Sequence, residues 1–172
     1  MAFEDSVKSG HKFENQIADY LKDYYSIRTT QNDGKNSKGD IYLTPIPGIT
    51  GPIPHDGDGE FLCECKQDCS TWETGYTVHE IYRFTREGVY IPAGLSITEA
   101  KYYIFGYSHW PSVYFIETEK LIRMKELNMH VDVKDFTGDG AKDSSVMRFI
   151  PRELHRYSNF LFKRDMTINI KY

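Results

Sequence analysis

Asp40, Glu64 and Lys66 are the residues of this chain whose types and spacing could do chemistry together. Asp40 follows Gly39 and opens a short β-prone run, Ile41-Tyr42-Leu43, and a second β-prone run, Phe61 to Lys66, carries Glu64-Cys65-Lys66. Side chains on a strand alternate faces, so Glu64 and Lys66 project from one face and Cys63 and Cys65 from the other. A carboxylate beside an ammonium, with a second carboxylate on a neighbouring strand, can hold a divalent cation next to a nucleophilic water. Magnesium takes hard oxygen ligands, commonly one or two carboxylates plus water and substrate phosphate. Phosphodiester hydrolysis needs an activated water, neutralised phosphate charge and a stabilised leaving oxygen, and a bound cation serves all three needs. Taken singly, each residue is ordinary: Glu-x-Lys is common on surface strands, and Asp after Gly is a common turn. Two charges inside the apolar setting of Phe61, Leu62, Cys63 and Cys65 are costly unless paired or ligated, and that raises the chemical reading above the ordinary one.

The elements that must position these residues follow from periodicity. Residues 1–10 are polar, with no strong structural signal. Over 11–25, Phe13, Ile17, Tyr20, Leu21 and Tyr24 form one helical stripe, with Ser9 and Gly10 as start signals. Glu14 stands at the edge of that stripe, where a carboxylate calls for a partner cation or a metal beneath the helix. Ser26–Thr30 predicts a first strand and Asp40–Thr44 a second, separated by a polar loop at 31–38. Residues 45–60 hold four prolines and four glycines, a density that predicts a long hairpin loop. The third strand is expected over Glu60–Gln67. A helix is expected over 74–86, with Gly88 as its stop, and an irregular stretch over 89–99. Strands follow at Lys101–Tyr107 and Ser112–Ile116, joined by a turn at 108–111, and a helix at Thr118–Leu127. Residues 130–145 read as loop, Ser145–Ile150 as a strand, Pro151–Phe162 as a short helix and Thr167–Ile170 as a β-prone tail.

The 172 residues suit one domain with a long loop at 45–60 and a basic extension from about 146. Hydrophobic residues make up 40% and charged residues 27%, a globular composition. The net charge of −4 argues against a dedicated nucleic-acid coat protein, while leaving room for a local basic patch. Residues 146–172 supply one, with Arg148, Arg152, Arg156, Lys163, Arg164 and Lys171 against Glu153 and Asp165. Lys12, Lys38, Arg148, Arg152 and Arg156 are the candidate contacts to nucleic acid, since phosphate contacts supply most sequence-independent affinity. Tyr76 and Tyr82 flank the expected helix after the site, where core packing outweighs stacking on bases or sugars, and His79 on that helix, like Lys12, could face nucleic acid, although a structural or solvated role is the commoner one for a histidine. Three cysteines, Cys63, Cys65 and Cys69, do not close a disulfide framework, and no run has the apolar length of a spanning helix or signal peptide. A soluble protein in a reducing cytoplasm is expected. Zinc on the cysteines with His79, and calcium on His55–Gly59, are readings the spacing does not favour.

The run from Gly10 to Leu21, then Ser37-Lys38-Gly39-Asp40, then Cys63-Glu64-Cys65-Lys66, resembles the PD-(D/E)XK nuclease superfamily over residues 10–107. Gly39 stands where many members carry proline. The layout is similar to that of Holliday-junction resolvases and related restriction-type enzymes. The insertion at 45–60 and Ile97–Tyr103 are similar to small phage-type nucleases. The resemblance implies a restriction endonuclease-like fold of mixed α/β (α+β) class: a helix, a three-stranded meander, a helix and another strand, in a mixed central sheet flanked by helices. It implies a Mg²⁺- or Mn²⁺-dependent DNA endonuclease of a prokaryotic or phage-infected cell, resolvase-like or structure-selective, acting on duplex or branched DNA. Asp40, Glu64 and the backbone carbonyl of Cys65 would hold the metal, Lys66 would assist the water, and Glu14 would be an additional acidic ligand. A homodimer is implied because two strands need two sites. The competing expectation is a nucleic-acid-binding or protein-interaction module on the same fold that does no chemistry.

Overall fold

The computed structural model describes residues 3–30, 39–68, 75–84, 89–126, 131–138 and 141–164. Helix α1 spans Phe3–Leu21, with Phe13, Ile17 and Leu21 one turn apart and all buried. Burial of such a side chain contributes about 1.5–3 kcal/mol. The helix starts well before residue 11, so Ser9 and Gly10 lie inside it rather than at its start. One glycine costs a helix only about 1 kcal/mol, and Ser9 is held by a tertiary contact to Gln67 instead of capping.

A six-stranded sheet has the order β1-β2-β3-β6-β7-β10. Its first three strands, β1 (Tyr25–Thr29), β2 (Ile41–Pro45) and β3 (Phe61–Asp68), form an antiparallel meander. The chain then leaves the sheet and returns as β6 (Tyr102–Tyr107), parallel to β3. Strand β7 (Trp110–Glu117) makes a hairpin with β6, and β10 (Asn159–Lys163) closes the far edge. That excursion supplies β4 (Thr77–Phe84) and β5 (Tyr90–Pro92), and a second one, between β7 and β10, supplies β8 (Val131–Gly138) and β9 (Ala141–Phe149); together they form a four-stranded antiparallel sheet of order β5-β4-β9-β8. A 3₁₀ turn at Gly94–Ser96 follows β5, and helices α2 (Thr118–Glu126) and α3 (Pro151–Tyr157) complete the fold. The class is therefore mixed α+β, as expected.

Two apolar clusters hold these layers. One packs Phe13, Ile17 and Leu21 of α1 onto Ile41, Leu43, Cys63, Tyr102 and Ile104 of the six-stranded sheet. The other, on the opposite face, gathers Tyr103, Phe105 and Tyr107 of β6 with Leu121 of α2, Leu154 of α3, and Ile81 and Phe149 of the second sheet.

Three expectations are overturned. The described part of 74–86 is not a helix: 77–84 are strand β4, begun where Asp68 Oδ2 accepts from the Val78 N–H and the Thr77 hydroxyl, both at 3.1 Å. A bulge between Glu80 and Tyr82 interrupts the alternation that marks a strand. Residues 130–145 are not loop, since β8 and most of β9 lie there, and their pairing carries two register shifts. The helix expected over 151–162 stops at Tyr157, where Ser158 Oγ donates to the Leu154 carbonyl at 2.7 Å, and Phe160 and Phe162 belong to β10. The described residues of the crossover between β3 and β6 accordingly form strands and a 3₁₀ turn, where the resemblance implied a helix. The long loop after β2 is as expected, and it is pinned: Ile53 is fully buried, and the Tyr25 hydroxyl donates to its carbonyl and accepts from its N–H. The polar loop at 31–38, Cys69, Gly88 and the tail at 167–170 lie outside the described residues.

Candidate active site

Strand β3 alternates as its sequence requires. Cys63 joins the α1-side cluster, while Glu64 pairs in register with Tyr103, a member of the opposite cluster. Lys66, two residues on, shares the face of Glu64 and is exposed. Asp40 stands at the entry to β2. Its N–H donates to the Cys63 carbonyl at 2.9 Å and its carboxylate Oδ2 accepts from the Cys65 N–H at 2.6 Å. The side chain thus takes a backbone donor of β3 just beyond the last paired residue of β2, which fixes it beside Glu64. Gly39 makes the approach possible, because a Cβ there would meet the Leu62 side chain at 2.6 Å. Glu14 is buried on α1, one residue past Phe13.

These groups act on one another's charge. Burial pushes the Asp40 carboxyl up to about 6 against the pull of the Cys65 N–H; Glu14 raises it further, and Lys66 and His11 oppose. Glu64 is pushed up to about 8, first by burial and then by Asp40 and Glu14, with Lys66 opposing. Crowded, half-desolvated carboxylates of this kind favour either a proton or a cation between them.

Among the described residues, no group of three or more His, Cys, Asp or Glu side chains is placed to hold a metal ion, so Glu14 does not join Asp40 and Glu64 as a third ligand. Asp40, Glu64 and the Cys65 carbonyl fit instead a cation that completes its shell with water and substrate oxygens, as Mg²⁺ does. The donor set is all oxygen, the chemistry that a hard divalent cation takes.

The chain matches no protein-family model and no curated protein. Among solved structures, it is similar to a bacterial homing endonuclease, at 15% identity and a TM-score of 0.45, over 66% of this chain and 70% of that one. A likeness of this size carries no residue's role from one chain to the other.

Asp40, Glu64, Lys66 and Glu14 are thus brought together from β2, β3 and α1. His11 joins them: it is exposed, yet its charge acts on Asp40, and only the helical offset of three from Glu14 could have signalled it. Lys12 is exposed beside it. Arg152 and Arg156 are exposed on α3. His155 of that helix meets the Tyr107 hydroxyl at 3.0 Å and stacks on Phe105, the register partner of Lys66. Arg156 also pairs with Glu153 at 3.2 Å. Lys38 and the Arg148 side chain fall outside the described residues.

His79 does not face nucleic acid. It lies on β4 rather than a helix, buried edge-on against Tyr103 and Phe149, and its Nε2 has no hydrogen-bond partner among the described residues. Burial, aided by the Lys66 charge, lowers it to about 3. Cys63 and Cys65 are free thiols, both pushed up by burial. No helix of the described residues is long and apolar enough to cross a membrane.

Proposed function

We propose that the chain is a divalent-metal-dependent DNA endonuclease. The observation that carries this reading is the convergence of Asp40, Glu64 and Glu14 with Lys66 at the junction of β2, β3 and α1, where Glu64 is pushed up to about 8. Asp40, Glu64 and the Cys65 carbonyl would hold Mg²⁺ or Mn²⁺, which supplies a water of lowered pKa and neutralises phosphate charge. The chain's own groups do the rest. The Cys65 N–H fixes the Asp40 carboxylate at 2.6 Å, so one ligand is set before substrate arrives. Lys66, exposed on the face of Glu64, orients the attacking water or takes its proton, and its charge opposes that developing on the phosphate. Glu14 adds negative charge that favours the cation. The resemblance of Gly10–Asp40 and Cys63–Lys66 to PD-(D/E)XK nucleases supports the assignment. A resolvase-like or structure-selective substrate and a homodimer belong to the same reading.

The test is cleavage of linear duplex, supercoiled plasmid, single strand and four-way junction with Mg²⁺, Mn²⁺ or EDTA. Metal-dependent cutting is expected, falling at least about 100-fold in Glu64→Gln and Lys66→Ala, with the fold retained by circular dichroism. Wild-type rates in both variants would sink the assignment.

A further inference from the structure

The face of the sheet that carries Glu64 and Lys66 is covered over β6 by α2, α3 and the second sheet. Over β1 and β2 the described residues leave it open, with Ser26 and Arg28 exposed and Tyr42 and Thr44 half-buried. Ile27, Ile41 and Leu43 point into the α1 side, so Arg28 and Tyr42, cross-strand partners in the β1–β2 register, point the other way. There the Arg28 guanidinium lies 3.7 Å from the centre of the Tyr42 ring, and its Nη2 contacts Glu60 Oε1 at 3.2 Å. The Arg28 and Glu60 side chains are 53% and 43% exposed, so water screens the pair and a competing anion can displace Glu60. The ring contact is of another kind: a flat cation held on an aromatic face stays oriented whatever anion it meets. Tyr42 lies two residues from Asp40, about 7 Å along the strand, a span comparable to the separation of neighbouring phosphates on one nucleic-acid strand.

We propose that Arg28, held on the Tyr42 ring, is the docking residue for a DNA backbone phosphate next to the one at the Asp40–Glu64 cluster, and that Glu60 occupies it until DNA arrives. The proposal rests on the nuclease reading for its substrate. A guanidinium presents two parallel N–H donors to a phosphate, a fit that a lysine does not reproduce. In a chain of net charge −4, one pre-oriented arginine beside an acidic cluster offsets the repulsion that DNA meets there. Glu60 then acts as a stand-in anion, which keeps the guanidinium placed and sets a threshold for non-specific binding.

The experiment is fluorescence anisotropy of a labelled DNA duplex over a salt series in EDTA, where no cutting occurs, with a parallel cleavage assay in Mg²⁺. Arg28→Ala is expected to weaken binding about 10-fold and to reduce the salt slope by about one. Arg28→Lys should keep the slope and lose part of the affinity. Glu60→Gln should tighten binding several-fold in the native background and not in Arg28→Ala. Unchanged affinity and slope in Arg28→Ala would overturn the proposal, as would equal tightening by Glu60→Gln in both backgrounds. Arg28-dependent binding with no cleavage by the native chain would uphold the docking residue and end the nuclease reading. Glu64-dependent cleavage with native binding in Arg28→Ala would do the reverse.

Discussion

Asp40 and Glu64 show at the scale of single residues how a site can be kept at the expense of stability. The Glu64 carboxyl is raised from its ordinary 4.5 to about 8, by burial first and then by Asp40. The folded chain therefore binds more protons than the unfolded chain between those values, and its stability falls as pH rises through that window. Asp40, raised to about 6, adds to the loss at the lower end. Without metal, the thermal midpoint is expected to fall between pH 5 and pH 8. Glu64→Gln should recover a few degrees at pH 8, since about 1 kcal/mol moves the midpoint of a chain this size by roughly 2–4 °C. Added Mg²⁺ should stabilise the native chain more than the Glu64→Gln chain, because binding to the folded state alone is linked to stability. Scanning calorimetry at several pH values reads both, and a midpoint independent of pH and metal would contradict the crowding of these carboxyls.

Elements decide how the site is framed. His79 is lowered to about 3, chiefly by burial in the second cluster, whereas an unfolded histidine titrates near 6.5. The unfolded chain binds the extra proton, so stability is lost as pH falls from about 6.5 towards 3. His79→Phe keeps the packing on Tyr103 and Phe149 and removes a buried nitrogen without a described partner. The variant is expected to lose this acid sensitivity, and at pH 7 to be unchanged or up to about 2 kcal/mol more stable, by urea melts. The loop at 46–60 is a second case. Its Ile53 is fully buried and held by the Tyr25 hydroxyl, so Ile53→Ala should cost about 2–4 kcal/mol, an amount foreign to an unpinned loop. Proteolytic nicking within 46–60 should rise in parallel.

The whole molecule depends on the second cluster to join its two sheets. Phe149 of β9 and Ile81 of β4 meet Tyr103, Phe105 and Leu121 there, and β6 is buried along its full length between this cluster and the α1 side. The sheets are expected to unfold together, with coincident far-ultraviolet and tyrosine near-ultraviolet transitions. Phe149→Ala should lower stability by about 3–5 kcal/mol while keeping one transition. Two separated transitions in the native chain would mean that the cluster does not couple the sheets.

Local patterns were legible from the amino acids alone. Phe13, Ile17 and Leu21 declare a helix by spacing, β1, β2, β3, β6 and β7 are short apolar runs bounded by turn residues, and the alternation in Phe61–Lys66 sets Glu64 and Lys66 apart from the cysteines. For these stretches the period of burial matches the period of the backbone. Strand β4 was hidden because its bulge at Glu80–Tyr82 breaks that period, and β8 and the first half of β9 were hidden by the register shifts in their pairing, whereas the strand expected from Ser145 is the second half of β9. Strand β10 exists because β7 offers it an edge, a fact about residues far away in the chain. The candidate site divides in the same way. Asp40, Glu64 and Lys66 were readable as types at a spacing. The bond from the Cys65 N–H to Asp40, the reach of His11, the burial of His79 and the stack of Arg28 on Tyr42 all depend on which strands lie side by side. Register and layering are settled by packing between distant segments, and no window of sequence contains both partners.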